Sequence, residues 1–462
     1  MRLYLLILVE YIKRHNKYFL AVFVAVFIVL IAQFKFNFLF DNNSIRIGLI
    51  GTYQEHDLPF EVTKLISTSL VTTDANNRIK PNLVTGWESN ADATVYKFKL
   101  KDNLKWSDGS LINSSDIGFS IPDVVVSYPD NKTIQFNLKD SYPPFPSLLA
   151  SPIFKKGTLL GIGPYKISKI EKSRIFITKI TLTPSDPVAP KIYVRFYPNE
   201  SVGATGFSLG EVEALFGINN LKALPDNPIL GLKQKTDFSK IVTVFFSMAD
   251  SLVGGKNRSL RQALSYISPQ IKNEEVADNP YPPTSWAYDK NAKKYLNNET
   301  EAKSALERAK SQIPVDKIHS EIVLTTTPNL ESVANEIINS WRSLGLNVRV
   351  RVESGVPQNF QALLILQSIP SDPDQYTLWH ATQTKTNISK VDVKRIDKDL
   401  EDARGKEAGA EDFRQMKYFD FQKALLEEAP AIFLYFPKYN IFYLKKSEQL
   451  LQKVLDLQLP KP

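Results

Sequence analysis

Four histidines, His15, His56, His319 and His380, lie far apart in a chain of 462 residues that has no cysteine. Without cysteine there are no disulfides, thiolate metal sites or thiol nucleophiles, and no lipid attachment through an N-terminal cysteine. No H-E-x-x-H, G-x-S-x-G or P-loop pattern occurs. The carboxylate pairs Glu427-Glu428 and Glu274-Glu275 read as solvated faces of helices or loops. One set leaves a hydrolase open: His380 with Asp374 and a serine, since triads are defined by geometry and not by order in the chain. The expectation is a protein that is not an enzyme and carries no cofactor.

Aromatic residues make up 11% of the chain, and the pair of acids in Asp372-Pro373-Asp374 sits in a short turn-forming segment. Hydrophobic residues at 43% and charged residues at 23% describe an ordinary globular protein with room for two or three packed bodies. The formal net charge of +8 is spread along the chain, with no basic stripe and no nucleic-acid module. It reads as a solvated surface with a basic bias, or as a weak attraction to anionic headgroups or envelope polymers.

The N-terminal segment sets the location. Tyr18 to Phe34 is an apolar run broken only by Gln33, near the lower length for crossing a bilayer core. Lys13, Arg14 and Lys17 precede it, so the positive-inside bias keeps residues 1–17 in the cytoplasm and sends the remainder outward. Phe36, Phe38, Leu39 and Phe40 extend the apolar contact, giving an expected transmembrane helix over 18–40. The segment Gln33-Phe34-Lys35-Phe36 is too bulky for a small-x-small cleavage site, which favours an uncleaved signal anchor over a removed signal peptide. Residues 3–12 are also apolar and would lie along the inner membrane surface.

Beyond the linker Asp41 to Ser44, Ile45 to Ile50 alternates and predicts a first strand. Val62 to Leu70 predicts a helix. Thr94 to Leu100 and Lys132 to Leu138 alternate as half-buried strands, with an Asp108-Gly109 turn between them. Ser114, Ser115 and Asp116 offer N-cap chemistry for a short helical turn, and Ser141 to Ser147 reads as an irregular connection. Tyr165 to Ile170, Ile175 to Leu182 and Lys191 to Tyr197 form a meander, and the second half of Gly203 to Leu215 reads as a helix. From Ile241 the pattern changes. Ile241 to Ser247 is a buried strand, followed by helices at Ser259 to Ile267, Glu299 to Lys310 and Asn329 to Leu344, and strands at Glu321 to Thr325, Val348 to Val352 and Gln361 to Leu366. Helix and parallel strand here imply a βαβ unit. Phe413 to Glu428 is a helix stopped by Pro430, and Ala431 to Phe436 and Asn440 to Leu444 are the last strands.

A dozen short segments, in order, resemble the family 5 solute-binding proteins, whose best-known members bind oligopeptides and dipeptides for ABC importers. They run from Pro81-Asn82-Leu83-Val84 with Trp87-Glu88, through Tyr96 to Lys101, Lys105-Trp106-Ser107-Asp108-Gly109 and Ser115 to Ser120. Tyr142-Pro143-Pro144-Phe145, Gly161-Ile162-Gly163-Pro164-Tyr165 and Gly210 to Glu213 follow. Arg258 to Leu264, Trp341 to Gly345, Asp397, Arg414 and Ala429 to Tyr435 complete the series.

This resemblance implies a mixed α/β, two-lobed periplasmic-binding-protein-like fold that closes on a ligand by hinge motion. Lobe I is expected over 41–240 and is β-rich. It includes a third subdomain at about 78–150, trimmed because Ser120 is followed almost at once by Ile121 to Tyr128 and a strand. An α/β lobe II is expected over 241–430, and 431–462 returns to lobe I, with crossings near Ile241 to Met248 and Ala431 to Pro437. Where peptide-binding relatives often carry an aspartate three residues before their Asp-Pro pair, this chain has Ile369. Asp372 or Asp374 could substitute for it, the guest could lack a free amino group, or the pair could simply cap a turn. Tyr53, Trp286 and Trp379 are candidate aromatic walls. The function implied is a monomeric, membrane-tethered, extracytoplasmic protein that passes a peptide or other small solute to importer permease subunits. A tethered ligand sensor or envelope scaffold is the alternative.

Overall fold

A computed structural model describes residues 43–458, except 220–223, 225–226, 314–316, 318, 356 and 406–410. The basic N-terminus and the transmembrane segment expected above lie outside the described residues. Among the described residues no helix is long and apolar enough to cross a membrane.

Alternation in the first strand, β1 (Ser44–Ile50), buries Ile45, Ile47 and Leu49 and places the strand inside a sheet. It pairs in parallel with β10 (Lys191–Tyr197) and β11 (Ala214–Phe216). The order of this seven-stranded sheet is β12 (Leu230–Thr236), β19 (Lys438–Leu444), β11, β1, β10, β9 (Phe176–Pro184) and β8 (Tyr165–Ser173). The last three strands form the expected antiparallel meander. Helices α1 (Phe60–Ile66) and α8 (Glu448–Gln458) bury Val62, Leu65, Ile66, Leu451 and Val454 in the same core as the sheet residues Ile45 and Ile47. We call this body lobe I.

One helix differs from its expected place. The pattern of Gly203 to Leu215 predicts a helix in its second half, but α2 spans Glu200–Ser208. Asn199 starts it by accepting the Val202 amide at 3.0 Å, and Gly210 ends it with a φ of 74°. Ala214 to Phe216 then extend as β11, because the slot between β1 and β19 needs a buried strand.

Residues 68–162 leave lobe I as a separate layer. A β2 (Val71–Thr73) and β3 (Ile79–Pro81) ladder precedes a four-stranded sheet ordered β4 (Val84–Ser89), β5 (Val95–Leu100), β7 (Thr133–Leu138) and β6 (Val124–Ser127). Tyr96, Phe98, Trp106, Phe136 and Phe145 fill its core. The stretch expected to be irregular ends in a single helical turn, Phe145–Leu148. The chain rejoins lobe I through Gly163, whose missing Cβ would stand 2.4 Å from the Leu65 carbonyl oxygen. Only glycine allows that backbone contact.

Lobe II is built on a six-stranded sheet ordered β14 (Glu275–Val276), β18 (Ala431–Phe436), β13 (Lys240–Phe246), β17 (Ala362–Ser368), β15 (Ile322–Thr326) and β16 (Val348–Val352). β15 and β16 pair in parallel across α5 (Glu331–Ser343). Both faces are covered, so β13 reads as a continuous apolar run. Val242, Val244 and Phe246 pack with α3 (Arg258–Ile267), α4 (Glu299–Lys310) and α5, including Trp341. Phe245, Leu363 and Ile365 pack on the opposite face against α6 (Lys394–Arg404) and α7 (Glu411–Glu428). Arg261, with no exposed surface, fixes the end of α7. It donates to the carbonyls of Glu428 at 2.8 Å, Ala429 at 3.2 Å and Val253 at 3.0 Å.

The two sheets share the chain twice. β12 leads to β13 through 237–239, and β18 leads to β19 through Pro437 alone. The segment 431–436, expected to return to lobe I, stays in the lobe II sheet beside β13. The return falls at Pro437, which has no amide to offer a ladder. The Asp237 amide donates to the Pro437 carbonyl at 2.8 Å, binding the crossings side by side.

Candidate ligand-binding cleft

At the crossings, the ends of lobe I strands meet the base of lobe II. A cavity of about 200 Å³ lies there, lined by Tyr53, Glu61, Asn219, Asp237, Lys240, Leu366 and Tyr439 among others. Glu61 reaches it from the first turn of α1 and Tyr439 from β19. The Tyr439 hydroxyl donates to Glu61 Oε1 at 2.7 Å, and burial with the nearby carboxylate drives its pKa well above the usual phenol range. Tyr53 donates to the Ile50 carbonyl at 3.0 Å, and its ring lies 5.2 Å from that of Phe196. Burial, then Glu61 and Asp57, raise the Tyr53 phenol too. Asp237 is paired with Lys240 at 3.3 Å. Tyr53, a candidate wall from sequence, therefore lines this cavity.

Ile369 sits beneath the crossings. It packs with Ile241, Ala277 and Phe436, and its amide donates to the Ser239 carbonyl at 2.7 Å. It belongs to the apolar support of the crossings.

Asp372 and Asp374 are both engaged within lobe II. Asp372 takes Arg414 Nη2 at 2.6 Å and Nη1 at 3.2 Å, and also accepts the Asp374 amide. Burial pushes the Asp372 carboxyl up while Arg414 pulls the other way. Burial also works against the Arg414 cation, but Asp372 and Tyr418 hold it above the ordinary arginine range. Asp374 accepts the Tyr376 amide at 3.0 Å and faces Arg404 Nε at 3.3 Å. The turn-capping role considered from sequence is therefore present in both residues.

Trp286 lies beside Arg414, whose guanidinium is 5.2 Å from its ring. Its amide reaches across to the Asn76 carbonyl in the 68–162 layer at 3.1 Å. Trp286, Asp372 and Arg414 share a second cavity of about 520 Å³ with Arg78, Trp87, Tyr96 and Pro143. At its border Tyr142 packs on Arg404, 4.9 Å from ring to guanidinium, and Arg404 stacks on Tyr376 at 4.2 Å. Burial first, then Asp374 and Asp372, push the Tyr142 phenol far up. These contacts clasp the 68–162 layer to lobe II.

Trp379 lines neither cavity. It has no exposed surface, packs on Phe245 and Phe433, and donates to Gln375 at 2.8 Å. Its place is the lobe II core. His380 has Nε2 at 3.0 Å from Glu401 and Nδ1 at 2.8 Å from Thr382, and among the described residues no serine is hydrogen-bonded to it. The His380, Asp374 and serine set is not assembled, since Asp374 is taken by Arg404. Among the described residues no group of three or more His, Cys, Asp or Glu is placed to hold a metal ion. A further cavity of about 700 Å³ lies away from the crossings, against His56, Asp108 and Lys166.

Sequence reasoning missed Glu61, Asp237, Lys240 and Tyr439. The available signal was Pro437, which marks where β18 must stop and the next strand begin.

The model of the bacterial extracellular solute-binding proteins, family 5, middle region, matches residues 78–389. The chain is 20% identical over 425 residues to the probable D,D-dipeptide-binding periplasmic protein DdpA of Escherichia coli (strain K12), covering 79% of this chain and 80% of that one. It is 22% identical over 461 residues to the oligopeptide-binding protein AppA of Bacillus subtilis (strain 168), covering 83% of each. The structure of NikZ from Campylobacter jejuni in complex with Ni(L-His) superposes with a TM-score of 0.67 at 22% identity, over 87% of this chain and 94% of that one. That likeness shows a shared mixed α/β binding-protein fold. The family model spans more than half of the chain, and the protein belongs to the bacterial extracellular solute-binding proteins of family 5, which bind a solute and catalyse no reaction on it.

Proposed function

We propose that this chain is held at the outer face of the cytoplasmic membrane by residues 18–40 and hands a peptide or other small solute to an ABC importer. Lobes I and II close on the guest about the crossings at 237–239 and 437. The observation that carries this reading is the cavity at the crossings, bordered by strands of both large sheets, with the second cavity lying between the 68–162 layer and lobe II. The hinge cavity, at about 200 Å³, favours a small guest, since drug-sized ligands usually occupy several hundred. Ile369 carries no charge, and Asp372 and Asp374 are occupied by Arg414 and Arg404, which favours a guest whose amino group is blocked or held elsewhere. A buried ammonium would need a free carboxylate partner.

The test uses the full chain in detergent. Native mass spectrometry identifies any co-purified small molecule. Thermal unfolding is then followed with dipeptide, tripeptide and longer peptide pools, free and N-acetylated. A guest at one hundred times its Kd should add about 2.7 kcal/mol of stability. No bound molecule and no shift with any pool would remove the peptide reading.

A further inference from the structure

We infer that the pole of lobe I opposite the cleft, carrying Val188, Leu209, Ile229, Lys445 and Lys446, rests against the headgroups of an anionic bilayer. The inference builds on the membrane tether proposed above.

The argument begins where the described chain starts. Asn43 is fixed in place: its side chain donates to the carbonyls of Pro187 at 3.2 Å and Ala189 at 3.1 Å, and its own carbonyl accepts the Lys191 amide at 2.8 Å. Only residues 35–42 separate this point from the end of the apolar run at Phe34. Fully extended, they span at most about 28 Å. The start of β1 therefore stays within that reach of the membrane surface.

The sheet register then says which residues share that pole. Ser44 faces Lys191, Ala214 faces Tyr443, and Leu230 faces Leu444. The Gly210 carbonyl accepts Arg46 Nη1 at 3.0 Å, which brings the neighbouring Leu209 to the start of β1. The Ile229 carbonyl accepts the Lys445 amide at 2.9 Å. Val188, Leu209 and Ile229 are 69%, 74% and 59% exposed, and Lys445 and Lys446 are also exposed. Nearby acids are the exposed Asp186 and Glu448, and Glu211 and Glu213, which are paired with Arg195 and Arg46. Exposed large apolar side chains beside lysines suit a headgroup layer, which takes both.

The other end of β1 opens on the hinge cavity through Leu49 and Ile50, roughly 20 Å away at the strand rise. β12 and β13 run on in succession, so the Lys256 end of lobe II lies farther out by about a second strand length.

The absence of cysteine allows a clean test on the full chain. Spin labels are placed singly at Leu209→Cys, Ile229→Cys and Lys256→Cys, in liposomes containing lipids whose headgroups chelate a paramagnetic ion. Labels at 209 and 229 should relax at least fivefold faster than the label at 256, and Lys445→Glu with Lys446→Glu should shrink the gap. The gap should be wider in anionic than in neutral vesicles. Equal relaxation at the three positions in a membrane-retained chain would overturn the pole while leaving the tether standing. Release of the chain by carbonate washing would overturn both. A gap appearing only after importer permease is added would assign the pole to a protein partner and refute the lipid contact.

Discussion

Removing either side of the Asp372–Arg414 pair should destabilise lobe II, and removing both should be less damaging than the sum. The guanidinium meets the two carboxylate oxygens at 2.6 and 3.2 Å, and Asp372 is only 8% exposed. At about 3 Å and an effective dielectric of about 20, the attraction is roughly 5 kcal/mol. Desolvation of the two ions takes back most of this, so the pair contributes little net stability. Orphaning one partner is different, because it leaves a buried charge alone at a cost of about 3–5 kcal/mol. Asp372→Asn and Arg414→Met should each lose about that much, while the double variant should show a coupling of at least about 2 kcal/mol. Arg414 also donates to the Ala403 carbonyl and Tyr418 hydroxyl, so the double variant still falls below the parent. Urea unfolding read by tryptophan fluorescence is suited to the measurement, since Trp286 lies 5.2 Å from the guanidinium. Additive losses, within about 0.5 kcal/mol, would mean the two groups do not act as a pair. An Asp372→Asn variant with unchanged stability and abolished guest binding would show that this carboxylate serves the guest instead.

Gly163→Ala should destabilise by about 1–3 kcal/mol in urea, because the added carbon meets the Ile66 and Leu65 backbone, whereas Gly86→Ala, with open space, should change little. Asp399 has a buried oxygen without a partner, and burial, then Asp420, push its carboxyl up to about 6. A raised carboxyl pKa means that stability is greatest below the unfolded value and declines as pH rises toward about 6. Asp399→Asn should therefore gain about 1 kcal/mol at pH 7.5, after allowance for solvent screening, and nothing near pH 3; a pH-independent gain would point to packing alone. Tyr142→Ala should loosen the clasp, with faster amide exchange near Arg404 and a larger radius of gyration by X-ray scattering; unchanged exchange would show that the ring does not hold the lobes.

The segments that carried the family resemblance turn out to be places where packing permits few alternatives. Trp106 and Trp341 fill cores, Gly163 admits a backbone crossing, and Arg261 closes the end of α7. Such constraints act over short stretches and leave a recognisable spelling. β1, the meander and the lobe II strands were legible because their alternation, or its absence on a doubly covered sheet, follows directly from burial. The helix near Gly203 was misplaced because its glycines hid the Asn199 cap, the true start signal. Cleft residues were harder. Glu61 and Tyr439 hydrogen-bond across 378 positions, a separation that no local window spans. Trp379 and Trp286 look alike in sequence, yet one is sealed in a core and the other stands beside a cavity, a difference decided only when the layers meet.

The position of β19 has a consequence for biogenesis. It lies between β12 and β11, inside the lobe I sheet, yet it is made after the whole of lobe II. Until residue 444 emerges on the far side of the membrane, β11 and β12 present unpaired edges, and edges of that kind invite pairing with other chains. Lobe II can mature first as a continuous stretch, while lobe I waits for the last strand. Export should therefore produce a transient species with one finished half and one open half, and a truncation just before β19 should aggregate through lobe I while leaving lobe II folded.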